Sequence, residues 1–164
     1  MDNFSEYLVK RRRRPVEWAL LVVIAALAVV MAFLTLSYFI GSALLFTGFL
    51  VLGYLYIRYS SVEYEYTQTN VYLDIDRING QRRRKRLLST KVTDMTAFGP
   101  YTSIPQSVVD NKKKVDYSSG DRDDSVKYYF ILDSDHTKYY IFEPNEKMLN
   151  NLKLYKPSAF LKES

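Results

Sequence analysis

Cysteine is absent from the 164 residues, and histidine occurs once, as His136. The first absence excludes a disulfide framework, a thiol nucleophile, iron–sulfur ligation and lipidation on cysteine. The second leaves no histidine-based zinc site from this chain alone. Glycine is scarce as well. Of six in the chain, Gly41, Gly48 and Gly53 fall in apolar sequence, which leaves little for a phosphate-cradling loop. Gly-x-Ser-x-Gly, His-Glu-x-x-His and dinucleotide fingerprints are all missing. Neither an enzyme nor a bound cofactor or metal is expected.

A further scarcity, of charge, is local. Residues 16–57 carry one formal charge, Glu17, whereas the 107 residues after them hold 18 Lys/Arg and 15 Asp/Glu. As one helix the 42-residue apolar run would extend about 63 Å, twice the roughly 30 Å of a bilayer core. It is therefore expected to fold back as a two-helix hairpin (16–58), with spans of about 16–36 and 42–58. The break falls at Ser37-Tyr38-Phe39-Ile40-Gly41-Ser42. The run is too long for a signal-peptide core, and a second apolar stretch follows it. Small residues (Ala25, Ala28 and Ala32; Gly41, Gly48 and Gly53) would let the two helices approach closely.

Lys10, Arg11, Arg12, Arg13 and Arg14 precede the first span, Arg58 follows the second, and the turn is uncharged. By the positive-inside rule these residues determine the topology. They place a multi-pass protein in the cell membrane with residues 1–15 as a basic cytoplasmic N-terminus and the C-terminus cytoplasmic too.

Beyond the spans, residues 59–164 change to period two. Val62, Tyr64 and Tyr66 alternate with Glu63, Glu65 and Thr67, and Leu73 and Ile75 with Asp74 and Asp76. A third strand is expected over 81–88 after the Asn79-Gly80 turn, with apolar marks at Val92, Met95 and Phe98. Residues 110–125 are polar and charged and read as a long exposed loop. Residues 126–142 read as a β-hairpin turning at Asp133–Thr137, and about 145–156 as a helix capped by Asn145. Antiparallel strands closed by one amphipathic helix suggest a partly open barrel with a C-terminal capping helix.

The run Tyr64–Asn70, then Leu73–Asp76, then the basic strand Arg82–Arg86 ending in Leu87-Leu88, resembles bacterial pleckstrin-homology-like domains. More closely, the layout is similar to an uncharacterised family of small Firmicute membrane proteins with two N-terminal spans. The resemblance implies a mostly-β pleckstrin-homology-like fold without catalytic residues. One departure is Val71 after Asn70, where relatives often carry Asn-Gly. A valine disfavours positive φ, so a type I′ turn is not expected there.

The candidate contact residues are Arg82, Arg83, Arg84, Lys85 and Arg86. On a strand, Arg82, Arg84 and Arg86 share one face and Arg83 and Lys85 the other. Such a strand either protects a sheet edge or draws the domain to anionic headgroups. Asp74 and Asp76 are expected to face the arginines. The tyrosines follow strand periodicity, so nucleic acid is not an expected partner. The sequence thus points to a non-enzymatic binding or scaffold module at the cytoplasmic leaflet, engaging anionic lipid or a membrane protein. The alternative is a structural or regulatory subunit of a larger complex, or a homo-oligomer, assembled through the spans.

Overall fold

A computed structural model of the chain describes residues 4–37, 41–80 and 82–160. It divides into two compact units, Arg12–Ser61 and Met1–Arg11 together with Val62–Ser164.

The first unit is helical, with α1 (Pro15–Ser37) and α2 (Gly41–Tyr59) packed on each other. Residues 38–40, the centre of the expected break, lie outside the described residues. α1 is long and apolar enough to cross a membrane, and only 6% of its most apolar window is buried, unlike a soluble core helix. The apolar stretch of α2, Ala43–Tyr59, is shorter than a full span. Of the small residues, Ala28 is buried, and a Cβ on Gly53 would sit 3.5 Å from Ile24 Cγ2, whereas Gly48 meets open space. The Thr35 and Thr47 hydroxyls donate to Met31 O and Ala43 O at 2.7 and 2.9 Å, so neither is left unpaired in an apolar setting.

Among the described residues, the second unit holds two four-stranded sheets and no closed barrel. Sheet A is a meander of β1 (Phe4–Lys10), β2 (Val62–Thr69), β3 (Tyr72–Asn79) and β4 (Arg83–Lys91). Sheet B has the order β5 (Met95–Pro100), β7 (Tyr128–Leu132), β8 (Asp135–Phe142), β6 (Lys113–Asp116), with β6 parallel to β8. At the β2–β3 turn Asn70 takes φ 51° while Val71 stays out of the left-handed region. A type I′ turn, which needs positive φ at both positions, is therefore not formed.

Residues 1–15 are not simply a basic tail, and the β unit does not begin at residue 59. Phe4–Lys10 is an edge strand, antiparallel to β2 from Phe4↔Thr69 to Lys10↔Glu63. The helical hairpin is thus an insertion into the β1–β2 connection. Val9 is buried beneath the sheet. Ser5 lies 3.5 Å from the Asn145 side chain, and Lys147 Nζ donates to Phe4 O at 2.8 Å.

The main core lies between the sheets and α4 (Glu146–Tyr155) and includes Tyr66, Leu73, Ile75, Phe98, Phe130, Phe142, Met148 and Leu152. Asn145 accepts from Met148 N at 2.8 Å and so caps α4 as its sequence predicts. Tyr66 ties the sheets together. Its hydroxyl donates to Tyr117 O at 2.7 Å, and its ring meets Phe142 edge-on at 5.7 Å. A second cluster, Tyr129, Ile131, Tyr139 and Ile141, fills the other face of sheet B. It is covered by Ala97, Tyr101, Ile104 and Val108, the last on the short helix α3 (Gln106–Asn111). Burial on both faces explains why Tyr128–Leu132 is continuously apolar instead of alternating.

The stretch 110–125 is not simply an exposed loop. It contains the end of α3 and all of β6, and its polar side chains bond inward. Ser119 donates through its N–H (3.0 Å) and hydroxyl (2.7 Å) to the buried Glu143 carboxylate. Asp116 accepts both the N–H and the hydroxyl of Ser118. Burial raises the Asp116 carboxyl, but those bonds and Lys114 outweigh it and hold it below the usual carboxylate range. The buried Lys127 ammonium bonds Asp124 at 2.7 Å and the carbonyl of Asp121.

These observations set the domain boundary. Replacing residues 12–61 by Asn-Gly joins β1 to β2 through a two-residue hairpin turn. That chain is expected to melt cooperatively by circular dichroism, whereas residues 59–164 alone, lacking the β1 ladder, are expected to melt lower or without a sharp transition. Equal melting of the two would show that β1 is dispensable.

Candidate functional site

β4 lies at an edge of sheet A, next to β3, so its outer backbone groups have no strand neighbour. It is reached through a tight connection at which Gly80 adopts φ 57°, a left-handed conformation that glycine takes without a Cβ clash. Pairing resumes at Asn79↔Arg83 and continues through Ile78↔Arg84, Arg77↔Lys85 and Asp76↔Arg86. The next pair is Ile75↔Leu88, so Leu87 is an extra residue in a bulge. The bulge lets both Leu87 and Leu88 pack against the main core, which strict alternation would forbid. The third strand therefore runs to Lys91, beyond the expected end at 88.

Residues Arg82–Arg86 are all exposed, but the two faces of β4 differ in their partners. On the outer face Arg84 Nε bonds Asp76 at 2.6 Å and its Nη2 bonds Glu65 at 3.0 Å. Arg86 reaches Asp74 at 3.1 Å and Asp76 at 3.2 Å. The expectation that Asp74 and Asp76 face the arginines agrees with this geometry. Glu65, which sequence reasoning left out, joins them because Glu65↔Asp76 are directly opposed across β2 and β3. Asp76 and Glu65 are only 3% and 5% exposed, and Arg84 is the cation that offsets both. Stripping the partner from a buried charge is costly. Burial, then the Glu6 carboxyl bonded to it, raises the Glu65 pKa against the opposing pull of Arg84.

On the inner face Arg83 stands opposite Asn79, and Lys85 stands opposite Arg77. Arg77 Nε donates to Asn79 Oδ1 at 2.8 Å. Among the described residues, Arg77, Arg83 and Lys85 have no carboxylate within ion-pair distance.

The sheet register also positions the cluster along the strand axis. Lys10 pairs with Glu63, Val62 with Asn79 and Asn79 with Arg83, so one end of sheet A gathers the ends of all four strands. At that end the chain leaves β1 toward α1, re-enters β2 from α2 and turns into β4. The remaining topology residues are built into the elements around it. Lys10 closes β1, and the backbone N–H of Arg11 donates to Val62 O at 2.9 Å. Within the helical unit, the Arg13 guanidinium lies 5.9 Å from the Trp18 ring centre and donates to Ile57 O at 3.1 Å. Arg14 accepts the Glu17 and Trp18 N–H groups at the start of α1 through its carbonyl. Arg58 donates to the Tyr54 hydroxyl at 2.7 Å.

The hairpin turn is tighter than the expected Asp133–Thr137: Asp133 and Ser134 make it, and Asp135, His136 and Thr137 already belong to β8. Leu132↔Asp135 closes it, and Asp135 accepts from Thr137 and Lys138.

Set against known families, the chain matches the one described as Bacterial PH-like domain (DUF6106) over residues 1–162, and it belongs to that family. The match supports the pleckstrin-homology-like part of the resemblance. Domains of this kind are typically non-catalytic binding modules, and no enzyme family is indicated. No curated protein and no solved structure matches the chain.

The acid cluster makes a titration prediction. A carboxyl whose pKa is raised on folding contributes stability that is present at low pH and lost as pH rises through the folded value. Carboxyl-detected NMR is expected to place Glu65 above an ordinary glutamate, and Glu6→Ala to bring it down. A Glu65 that titrates normally in both chains would contradict the bonded Glu6–Glu65 pair.

Proposed function

We propose that this member of the family is a membrane-anchored, non-enzymatic module that engages the anionic cytoplasmic leaflet through the Arg82–Arg86 strand. In this reading both helices cross the bilayer and both termini are cytoplasmic. α2, at 19 residues, extends about 28 Å, close to the roughly 30 Å of a bilayer core. Arg58 and the tyrosines at its end make up the difference by reaching to the interface. The aromatic and cationic residues Trp18, Arg13, Tyr54 and Arg58 lie at the chain-entry end of the hairpin, as cytoplasmic interfacial anchors do.

The observation that carries the reading is the register at the end of sheet A. Two strand spacings of about 4.8 Å separate Val62 from Arg83. The Ser60-Ser61 linker adds at most about 7 Å. Summed, they come to at most about 17 Å, some two screening lengths of about 8 Å at physiological salt. The attraction of the basic strand to an anionic surface at the ends of the spans is therefore expected to strengthen as salt is lowered. Each basic residue near an anionic leaflet contributes about 1 kcal/mol.

The test is flotation of the Asn-Gly-joined chain with neutral and anionic vesicles at low and high salt. Binding to anionic vesicles alone, weakened by salt and by alanines at 82–86, is the expected result. No binding under any condition would leave the strand as protection of a sheet edge.

A further inference from the structure

The two faces of β4 do not have the same work available to them. Arg84 and Arg86 are committed to Glu65, Asp74 and Asp76 at 2.6–3.2 Å. They offset carboxylates that the sheet itself buries, and a ligand that drew them away would leave those carboxylates unpaired. The inner face carries the opposite arrangement. Arg77 and Lys85 are directly opposed across β3 and β4. Directly opposed side chains have Cβ atoms about 5 Å apart, and like charges in that relation destabilise a sheet. Arg83 is two residues from Lys85 and so about 7 Å along the same face. The amide of Asn79 is the one side-chain partner given to this trio among the described residues, and it is neutral. Three cations on one sheet face, with no internal counter-charge, form a local conflict that a bound anion would relieve. The main core includes Tyr64 and Ile75, with Val62, Leu87 and Leu88 packed against it, and none of the three cations is among its residues.

We infer that Arg77, Arg83 and Lys85 form the ligand-binding face and that its ligand is the phosphate group of an anionic lipid, while Arg84 and Arg86 are structural. This rests on the leaflet reading above and narrows it to one side of one strand. A phosphodiester supplies several acceptor oxygens, matching two guanidinium forks and an ammonium. The lipid is favoured over a soluble phosphate because the trio lies at the sheet end through which the chain connects to α1 and α2.

The experiment uses the full-length chain in bilayer nanodiscs of mixed phosphatidylcholine and phosphatidylglycerol, counting retained phosphatidylglycerol by native mass spectrometry. Two charge-matched double variants are compared, Arg83→Ala with Lys85→Ala, and Arg84→Ala with Arg86→Ala. At about fivefold in affinity per cation, the first pair is expected to weaken phosphatidylglycerol retention by roughly twenty-five-fold. The second pair is expected to retain the lipid while lowering the melting temperature, which the first does not lower. Equal losses in both pairs, or the greater loss in the second, would overturn the assignment of the face and leave the leaflet reading standing. A wild-type chain without preference for phosphatidylglycerol would overturn both. In neutral nanodiscs, inorganic phosphate is titrated separately. Saturable binding of it that depends on Arg83 and Lys85, without lipid preference, would overturn the lipid assignment.

Discussion

The pairing of β1 with β2 is the constraint on which the remaining architecture depends. Because Lys10 lies beside Glu63, the chain's departure toward α1 and its return from α2 occur on neighbouring strands. The helical hairpin is therefore an insertion between two paired strands, not a leader preceding a finished domain. From that pairing the meander continues without choice. β3 follows β2, β4 follows β3, and the connection into β4 falls at the same end as both crossings. A charge cluster that would otherwise be one basic stretch among several is thereby tied to the point where the two units join in sequence.

The two sheets hold this geometry through a small number of buried groups. Tyr66 is the most demanding of them, since a phenol with no exposure must satisfy its hydroxyl inside the protein. It donates to Tyr117 O and lies 3.4 Å from the Glu143 N–H, while its ring meets Phe142. Glu143 in turn organises Ser119. The polar segment after β6 and the aromatic core are thus parts of one network, and burial pushes the Tyr66 phenol far above its ordinary pKa.

Much of this was legible in the residues, and the failures have specific causes. The hairpin helices, the strands around Tyr64 and Leu73 and the Asn145 cap all rest on local patterns. They emerged because periodicity and turn chemistry act within a few residues. β1 did not, because its inward residues include Ser5 and its partner β2 lies more than fifty residues away in sequence. The segment 110–125 was misread for a related reason. Its serines and aspartates look solvated by composition, yet they bond Asp116, Glu143 and Lys127 inside the fold. α3 has six residues and no side-chain cap, so it leaves little trace in the sequence. At the candidate site the facing of Asp74 and Asp76 toward the arginines followed from strand alternation. The entry of Glu65, and the division of the cations into offset and uncompensated faces, required the cross-strand register.

The proposed function requires the Arg82 end of β4 to lie nearer the leaflet than its Lys91 end. The chain contains no cysteine, so single fluorophores can be attached at Arg82→Cys and Lys91→Cys in the full-length protein in vesicles. Position 91 lies about 30 Å farther along the strand at roughly 3.3 Å per residue. With a quencher attached to the lipid headgroups, the label at position 82 is predicted to be strongly quenched and the label at position 91 weakly. Equal quenching, or stronger quenching at 91, would contradict the account.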